Sequence, residues 1–370
     1  MTDIYQHILR PLLFQLDAES AHHLALSSLR IANNPIVSRA LIGICGVSDP
    51  RLNVTIAGLE FPNPIGLAAG LDKEGVALAG LAALGFGAIE IGTVTAEAQM
   101  GNPRPRIFRL PADKALINRM GFPSAGANQL TNRLEQILPL ANHLPTKVGI
   151  NIGKTKSADI DHAADDYLRS FQMLKSFGDY FAINISSPNT PELRKLQEPE
   201  RLQKLLNTIR GVGIKGRPLF VKIAPDLDDS QLNEVVDVIR RNGGDGIIAT
   251  NTTFSREGIR SEINETGGLS GAPLKAKALH IVARLYQHTR GELPIIGVGG
   301  ISSAQDVWQM MQAGASAVQI YTSFVYEGPL LVRRMLRELS QRLDQENITT
   351  IQSIVGQQNQ AILLGEIAKS

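Results

Sequence analysis

The chain has 370 residues, of which 43% are hydrophobic and 19% are charged, as in ordinary soluble globular domains. Its 37 basic and 35 acidic residues give a formal net charge of +2, which is too close to neutral to indicate nucleic-acid binding. Because Cys45 is the single cysteine, an intramolecular disulfide and a cysteine-based metal cluster are both excluded, and no metal is expected.

Residues 1–42 predict a pair of amphipathic helices. Apolar residues recur at helical spacing around Pro11, and Asp17 or Ser20 can start the second helix. Two arrangements remain open: a pair docked on the main core, or a pair lying in a membrane interface with its apolar faces toward lipid. No apolar run reaches the roughly 18–20 residues that span a bilayer, and no secretory signal precedes the helices, so we expect the chain to stay where it is made.

From about residue 60, eight short runs rich in Ile, Val, Ala and Gly predict buried parallel strands. Helix-like stretches, such as 163–176, 229–241 and 276–289, separate most of them. Eight strand-then-helix units favour an α/β fold, a closed (β/α)₈ TIM barrel, and an open doubly wound sheet is the lesser alternative. The predicted strands are residues 65–70, 88–94, 147–153, 181–186, 219–224, 246–251, 295–299 and 317–321.

The barrel is expected to occupy residues 43–340. Long connections follow the second, fourth and sixth strands, and such loops emerge at the carboxyl-terminal face, where active sites of barrels are built. Residues 341–370 are Gln-rich and weakly patterned, which predicts a ragged helix or tail.

The ends of the last two strands carry a candidate phosphate site. Residues 295–302 read IIGVGGIS and residues 319–323 read QIYTS. Glycines at a strand-to-helix junction let backbone amides approach phosphate oxygens, although a tight turn that needs glycine for its backbone angles would read the same. Because the two segments follow the seventh and eighth strands, they favour the usual phosphate site of this architecture.

Polar residues cluster at the ends of other strands. Residues 183–190 read INISSPNT; Pro188 ends the strand, which places Ser187 on the mouth loop. A simple polar turn is the alternative interpretation. Further clusters are AGLDK at 69–73, NRMGF at 118–122, VKIAPD at 221–226 and TNTT at 250–253. Lys222 lies mid-strand among apolar neighbours, where a charge is costly unless an anionic group pairs with it.

Taken together, these segments resemble the quinone-dependent (class 2) dihydroorotate dehydrogenases from about Tyr5 to Leu339. The motifs AAGLDK, EIGTVT, NPRPRIFRL, INRMGF, GINIGK, INISSPNT, VKIAPD, ATNTT, TGGLSG, IIGVGGI and VQIY follow in the family's order. The resemblance implies oxidation of (S)-dihydroorotate to orotate in de novo pyrimidine (UMP) biosynthesis, with hydride transfer to one FMN per chain and reoxidation by a membrane quinone.

The resemblance also implies residue roles. Ser187 matches the family's catalytic base, and since the soluble branch has cysteine there, the serine branch is indicated. Thr190 and Phe122 match positions that form a water relay and shield the base. Lys222 would neutralise charge that develops on the flavin during its reduction.

Three further sets of positions follow from the resemblance. The substrate positions are Lys73, Asn118, Arg119, Met120, Gly121, Phe122, Asn184, Asn189, Asn251 and Thr252. The FMN positions are Ala69, Gly70, Leu71, Asp72, Lys73, Thr93, Asn151, Asn184, Lys222, Thr250, Gly271, Gly299, Gly300, Tyr321 and Thr322. The quinone-tunnel positions are His22, Arg109 and Tyr321.

The same resemblance implies a monomer that contacts the membrane peripherally, through the amino-terminal helices, on the cytoplasmic face of the inner (cell) membrane. Three rival functions remain. A hydroxy-acid oxidase on an FMN barrel needs a histidine base at the barrel mouth, and no histidine ends a predicted strand. A flavin-free barrel synthase would bind only a phosphorylated substrate. A non-catalytic membrane-surface scaffold would need no dense polar loops.

Overall fold

The chain forms the predicted (β/α)₈ barrel. The computed structural model describes residues 4–141, 145–213 and 216–365, and within these ranges eight parallel strands close into a barrel. Each strand pairs with its neighbours along the chain, and the eighth pairs with the first. In chain order they are β1 Ile65–Leu67, β2 Ala88–Val94, β3 Lys147–Ile152, β4 Tyr180–Asn184, β5 Leu219–Ile223, β6 Gly246–Ala249, β7 Ile295–Val298 and β8 Ala317–Ile320.

The strands read as apolar runs because both of their faces are covered. Every residue of β2 is buried, and so is every residue of β4 and β5. One face packs inside the barrel and the other against the surrounding helices, as expected for a parallel sheet. The α-helices between β1 and residue 345 lie at Leu78–Ala83, Ala127–Ala141, Ala163–Leu174, Pro199–Arg210, Asp229–Arg241, Lys275–Thr289, Ala304–Ala313, Thr322–Glu327 and Leu331–Gln345.

The helix Asp229–Arg241 illustrates how the local sequence sets these elements. Asp228 accepts a hydrogen bond from the Gln231 backbone N–H, and the Gln231 side chain accepts one from the Asp228 N–H, which closes a capping box. Apolar residues at helical spacing then form one buried face. That face consists of Leu232, Val235, Val236 and Ile239.

The two longest loops at the carboxyl-terminal face pair with each other. The loop after β2 contributes Ile107–Leu110 and Ala115–Asn118, and the loop after β6 contributes Gly268–Gly271. They form a three-stranded antiparallel sheet with Ala115–Asn118 in the middle. At the opposite end of the barrel, before β1, the strands Val54–Ile56 and Leu59–Phe61 form a hairpin.

The amino-terminal extension is helical, with one more helix than the sequence predicted. Its α-helices are Arg10–Leu13, Ala18–Leu29 and Pro35–Cys45, with a π-helix at Tyr5–Leu9 and a 3₁₀-helix at Arg30–Asn33. Of the two predicted starting residues of the second helix, Asp17 and Ser20, the structure shows Asp17 as the cap. The predicted limit of the extension at residue 42 falls inside the helix Pro35–Cys45. Residues 1–3, which the predicted helical pair included, lie outside the described residues.

Much of the segment after residue 340 packs on the barrel. Leu331–Gln345 ends within it, a 3₁₀-helix follows at Ile351–Ile354, and a short helix at Asn359–Leu363. The Asn359 amide donates to the carbonyls of Ala283 (2.9 Å) and Ala313 (2.7 Å), which belong to two barrel helices. The sequence predicted a ragged helix or tail because elements this short leave no periodic pattern. Residues 366–370 lie outside the described residues.

Candidate active site

A cavity opens where the barrel strands end, beneath the two long loops. Loops after all eight strands converge at this face of a (β/α)₈ barrel. Most of the residues that the sequence assigned to a site line this cavity. They are Ala69, Gly70, Lys73, Thr93, Asn118, Met120, Gly121, Phe122, Asn184, Ser187, Asn189, Lys222, Thr250, Asn251, Thr252, Gly271, Gly299, Gly300, Tyr321 and Thr322.

Other predicted residues lie beside the cavity and have structural partners. Leu71 is buried in the hydrophobic core. The buried Asp72 carboxylate accepts hydrogen bonds from the backbone N–H groups of Val76 and Ala77, both at 2.8 Å. These bonds anchor the turn that leads from β1 into its helix. Burial raises the pKa of Asp72, against the effect of the two bonds.

The side chain of Arg119, like those of Leu71 and Asp72, points away from the cavity. Its guanidinium pairs with Glu265, donates to the Pro105 carbonyl (3.0 Å) and lies 4.6 Å from the centre of the Phe108 ring. Glu265 belongs to the loop after β6 and the other partners belong to the loop after β2. Arg119 therefore joins the two loops that cover the site.

Amide side chains gather at one part of the cavity. Asn189 Nδ2 donates to Asn118 Oδ1 (3.1 Å), and Asn251 Nδ2 donates to Asn184 Oδ1 (3.2 Å). The Thr252 backbone N–H donates to Asn251 Oδ1 (2.7 Å). These side chains come from the ends of three different strands or their loops. Such a cluster can bind a small planar ligand that carries both amide and carboxylate groups.

Ser187 lies on the loop after β4 and is 6% exposed. Its Oγ accepts a hydrogen bond from the Asn189 backbone N–H (3.2 Å), so the hydroxyl proton is free to point elsewhere. The buried Thr190 Oγ1 has no hydrogen-bond partner among the described residues. Phe122, buried to 9% exposure, lines the same cavity. The loop after β4 therefore carries two buried hydroxyls, and that of Ser187 lines the cavity.

Arg194 fixes the loop that carries Ser187. Its guanidinium donates to the carbonyls of Ser186 (3.2 Å) and Thr252 (3.3 Å) and pairs with Asp226 (2.9 Å). Asp226 also pairs with Lys277 (2.9 Å). Burial tends to raise the pKa of Asp226, but hydrogen bonds and these cations hold it below its usual value. The loops after β4, β5 and β6 are thereby tied together.

Two of the lysines that line the cavity, Lys73 and Lys222, are among the predicted site residues. Lys73 Nζ donates to the Gly70 carbonyl (2.7 Å), and burial lowers the pKa of Lys73 to about 8. Lys222, in the middle of β5, is 5% exposed and has Glu90 Oε1 at 3.7 Å from its Nζ. The anionic partner that the sequence argument required for Lys222 is therefore Glu90.

Sequence reasoning missed Glu90, although it lies mid-strand among apolar residues, which is the signal that singled out Lys222. Gln319 in β8 shows the same pattern and was missed as well. Other cavity-lining residues gave no comparable signal. They include Lys114 and Ser270 in the long loops and Glu327 at the end of the helix Thr322–Glu327.

The ends of β7 and β8 form a narrow polar recess. A Cβ atom on Gly300 would lie 2.5–2.7 Å from the Cβ, Cα and N atoms of Lys275, so only glycine leaves room there. Thr322 Oγ1 lies 2.8 Å from Ser270 Oγ. The buried Ser323 Oγ has no partner among the described residues. Backbone N–H groups and hydroxyls with unused hydrogen-bonding capacity suit a phosphate group.

The predicted quinone-tunnel residues lie where the extension meets the barrel. Arg109 donates to the carbonyls of Phe14 (3.1 Å) and Leu16 (2.9 Å) and stacks over the Phe14 ring at 4.6 Å. Burial, reinforced by Lys73, lowers the pKa of His22 to about 3, so this imidazole is neutral at physiological pH. Tyr321 lines the cavity, and burial raises its pKa to about 12.

The chain is similar to known proteins over most of its length. The family model described as "Dihydroorotate dehydrogenase" matches residues 51–343. Proteins named "Dihydroorotate dehydrogenase (quinone)" from Gloeobacter violaceus (48% identity; 96% of this chain, 99% of the relative) and Chloroflexus aurantiacus (48%; 90% and 96%) are similar over nearly their whole length. A crystal structure of DHODH in complex with ferulenol from Eimeria tenella has a TM-score of 0.83 at 39% identity, covering 93% of this chain and 98% of that one. The chain therefore belongs to the dihydroorotate dehydrogenase family of oxidoreductases, in its quinone-dependent class.

Proposed function

We propose that this protein oxidises (S)-dihydroorotate to orotate in de novo pyrimidine (UMP) biosynthesis, using FMN as hydride acceptor and a membrane quinone to reoxidise it. One observation carries the proposal: the Ser187 loop, the amide cluster, Lys222 and the phosphate recess all line one cavity. Dihydroorotate carries ring amides and a carboxylate, which match the amide cluster. Family membership supports the same reaction.

The cavity fits one FMN per chain. The Gly300 recess suits a phosphate, as does the Ser323 hydroxyl, which has no partner within the described ranges. Lys222 offers a cation for a group that gains negative charge. Bound FMN would accept a hydride from dihydroorotate and pass the electrons to quinone. The residues that would hold it are Ala69, Gly70, Lys73, Thr93, Asn184, Lys222, Thr250, Gly271, Gly299, Gly300, Tyr321 and Thr322, with Leu71, Asp72 and Asn151 supporting them from behind.

Ser187 would act as the base that removes the proton from C5 of dihydroorotate. A serine hydroxyl is a weak base, so its own proton must leave as it accepts one. Thr190 supports this role because its buried Oγ1 has no partner in the described part of the chain and can bind a water molecule beside the loop. Phe122 would exclude bulk water, which strengthens every charge interaction in the site.

The amide cluster would orient the substrate. Asn118 and Asn189 already hydrogen-bond each other, as do Asn184 and Asn251, so each pair presents its remaining groups in a fixed direction. Lys73 would attract the substrate carboxylate while Thr252 adds a hydroxyl donor. Met120, Gly121 and the backbone of Arg119 would form the wall beside them.

Replacing Gly300 with alanine is expected to weaken FMN binding by at least about tenfold, because the new methyl group overlaps the Lys275 backbone and narrows the recess. The measurement is the flavin content of the purified protein and a titration with free FMN. Gly58→Ala is the matched control, since Gly58 has φ +81° but nothing within 4 Å of its Cβ position. Equal flavin affinity in both variants would contradict the assignment of the recess.

We further propose that the extension, residues 1–42, contacts the membrane and delivers quinone past His22, Arg109 and Tyr321. Several of its large apolar side chains face solvent, and Arg109 holds its Phe14–Leu16 turn against the barrel loop. Among the described residues, no helix is long and apolar enough to cross a bilayer. The protein would then be a monomer that binds peripherally to the cytoplasmic face of the inner (cell) membrane. Residues 43–340 would form its catalytic barrel, and residues 341–370 would be an appended segment.

The exposed residues Ile8, Leu12 and Leu24 provide a test, since they are 55%, 57% and 51% exposed. Replacing all three with glutamine is expected to lower turnover with a long-chain quinone in vesicles at least about tenfold, because each loses lipid contact. Flavin reduction by dihydroorotate should not change. Met173→Gln, at 41% exposure on a barrel helix, is the control. Full turnover in the triple variant would contradict membrane contact by this surface.

The test of the whole reaction is anaerobic mixing of the purified protein with dihydroorotate. We expect the flavin absorbance to bleach, and to recover when a quinone is added. A protein that binds no flavin would instead support a barrel synthase, and a flavin that bleaches only with a 2-hydroxy acid would support an oxidase. Against the latter, no histidine among the described residues lines the cavity.

A further inference from the structure

A buried carboxylate lies inside the barrel behind Lys222. Glu90, in β2, is 0% exposed. Its Oε1 accepts a hydrogen bond from Asn151 Nδ2 (2.7 Å), and its Oε2 accepts from Gln319 Nε2 (2.7 Å) and from the Tyr180 hydroxyl (3.3 Å). Lys222 Nζ lies 3.7 Å from Oε1. Five strands, β2, β3, β4, β5 and β8, thus contribute to one polar layer.

This layer departs from the usual interior of such barrels, which is filled mainly by branched apolar side chains. The local sequence makes room for it: a Cβ on Gly149 would lie 2.1 Å from the Tyr180 ring, so glycine at 149 allows that ring to reach Glu90. A buried carboxylate is tolerated only when hydrogen bonds and an opposite charge compensate it. Three donors and one ammonium meet that condition here.

The Lys222 side chain reaches both this layer and the cavity. Among the described residues, Glu90 is the only acidic group within ion-pair distance of Lys222. The separation of 3.7 Å exceeds that of a close hydrogen bond, so the ammonium keeps its donors available for another acceptor. Glu90 therefore opposes the charge of Lys222, while the N–H groups of the Lys222 ammonium stay available to another acceptor.

We propose that Glu90 is a positioning residue that fixes Lys222 toward the flavin and attenuates its charge, and thereby sets the reduction potential of the bound cofactor. The inference rests on the proposed function, since it concerns a flavin in this cavity. Asn151 and Gln319 would act with Glu90 by fixing the direction of its carboxylate.

The first test measures the midpoint potential of the flavin in Glu90→Gln. The amide keeps the shape of the carboxylate but removes its negative charge, so Lys222 stabilises the added electrons without opposition. We expect the affinity for the reduced cofactor to rise about tenfold relative to the affinity for the oxidised cofactor. For a two-electron couple this raises the midpoint potential by about 30 mV. Glu97→Gln, whose carboxylate is exposed and paired with Arg169, is the matched control and should leave the potential unchanged. An unchanged or lowered potential in Glu90→Gln overturns the proposal.

The second test measures coupling between the two charges by the unfolding of holoenzymes in excess FMN. Lys222→Met leaves Glu90 buried without its cation, and we expect a large fall in the unfolding midpoint or a failure to fold. Adding Glu90→Gln to that variant should recover most of the loss, because both charges are then absent. A double variant that loses the sum of the two single effects overturns the pairing. Unfolding can be followed whether or not flavin is bound. A wild-type protein that binds no flavin would therefore refute the proposed function, whereas the coupling between Glu90 and Lys222 could still be measured.

Discussion

Replacing Ser187 with alanine is expected to leave flavin binding intact and to slow flavin reduction by dihydroorotate about 10²–10⁴-fold. The reason is that positioned proton transfer contributes a factor of this size to catalysis, and Ser187 is the hydroxyl on the buried loop beside the amide cluster. Stopped-flow absorbance under anaerobic conditions measures the rate directly. Reduction by dithionite, which needs no base, should proceed normally in the same variant.

Two controls accompany this experiment. Ser353→Ala makes the same chemical change at an exposed position after the last long helix, and should reduce its flavin at the wild-type rate. Reoxidation of chemically reduced Ser187→Ala by quinone should also be unaffected. If dihydroorotate bleaches the flavin of Ser187→Ala as fast as that of the wild type, Ser187 is not the base.

The second large effect is expected where the extension meets the barrel loop. Glu19 and Arg106, 7% and 6% exposed, form a bidentate pair, with Arg106 Nη2 at 2.6 Å from Oε1 and Nε at 3.1 Å from Oε2. Replacing Arg106 with methionine is expected to lower the free energy of unfolding by about 3 kcal/mol, the low end for a broken buried pair, because the buried Glu19 then keeps only the largely exposed Arg104 (3.1 Å) as a cation. Chemical denaturation measures the loss. Arg169→Met, which breaks an exposed pair, should cost below about 1 kcal/mol; equal losses would contradict the argument.

The same pair predicts a pH dependence. Burial tends to raise the pKa of Glu19, but Arg106 and Arg104 outweigh it and hold the pKa below its usual value. A carboxyl whose pKa is lower in the folded state than in the unfolded state stabilises the folded protein. The stabilisation is complete when the pH is above the unfolded-state pKa, and it is lost as the pH falls through the folded-state pKa. The difference in free energy of unfolding between wild type and Glu19→Gln should therefore be largest at neutral pH and become smaller in acid. Chemical denaturation at several pH values measures it.

This contact also changes how the extension can be studied. Arg106 donates to the carbonyls of Met100 (2.7 Å) and Asn102 (2.9 Å), in the loop that leads to the proposed substrate residues. Deleting residues 1–40 would remove Glu19 and leave Arg106 unpaired, so it would disturb substrate binding together with quinone access. Substitutions on the exposed apolar face separate the two effects.

The barrel could be predicted from the sequence because its signal is local and repeated. Each strand is a short apolar run that ends in glycine or polar residues, and eight of them in succession leave few alternatives. The cavity followed from the same argument, since residues at strand ends must converge in a barrel. For this reason Ser187, Asn184, Asn251 and Lys222 come together as expected.

Much of what the sequence did not reveal depends on contacts between distant segments. The turns after Gln345 are set by packing on the barrel helices, which no periodic pattern records. The helix Pro35–Cys45 is different: it was overlooked although Asn34 caps it and Pro35 stands at its first position, a local start signal. The predicted roles of Asp72 and Arg119 came from their motifs, whereas their side chains turn toward Val76 and Glu265. Glu90 carries the same signal as Lys222, a charge among apolar strand residues, and could have been predicted from it.

The small sheet above the cavity has a consequence for how relatives of this chain can diverge. Its strands Ile107–Leu110, Ala115–Asn118 and Gly268–Gly271 come from two insertions that are far apart in the sequence but paired residue by residue. An added or deleted residue in one insertion shifts every side chain of that strand to the opposite face unless the other compensates. We therefore expect the two insertions to change length together across evolution, and an alignment of relatives can examine this.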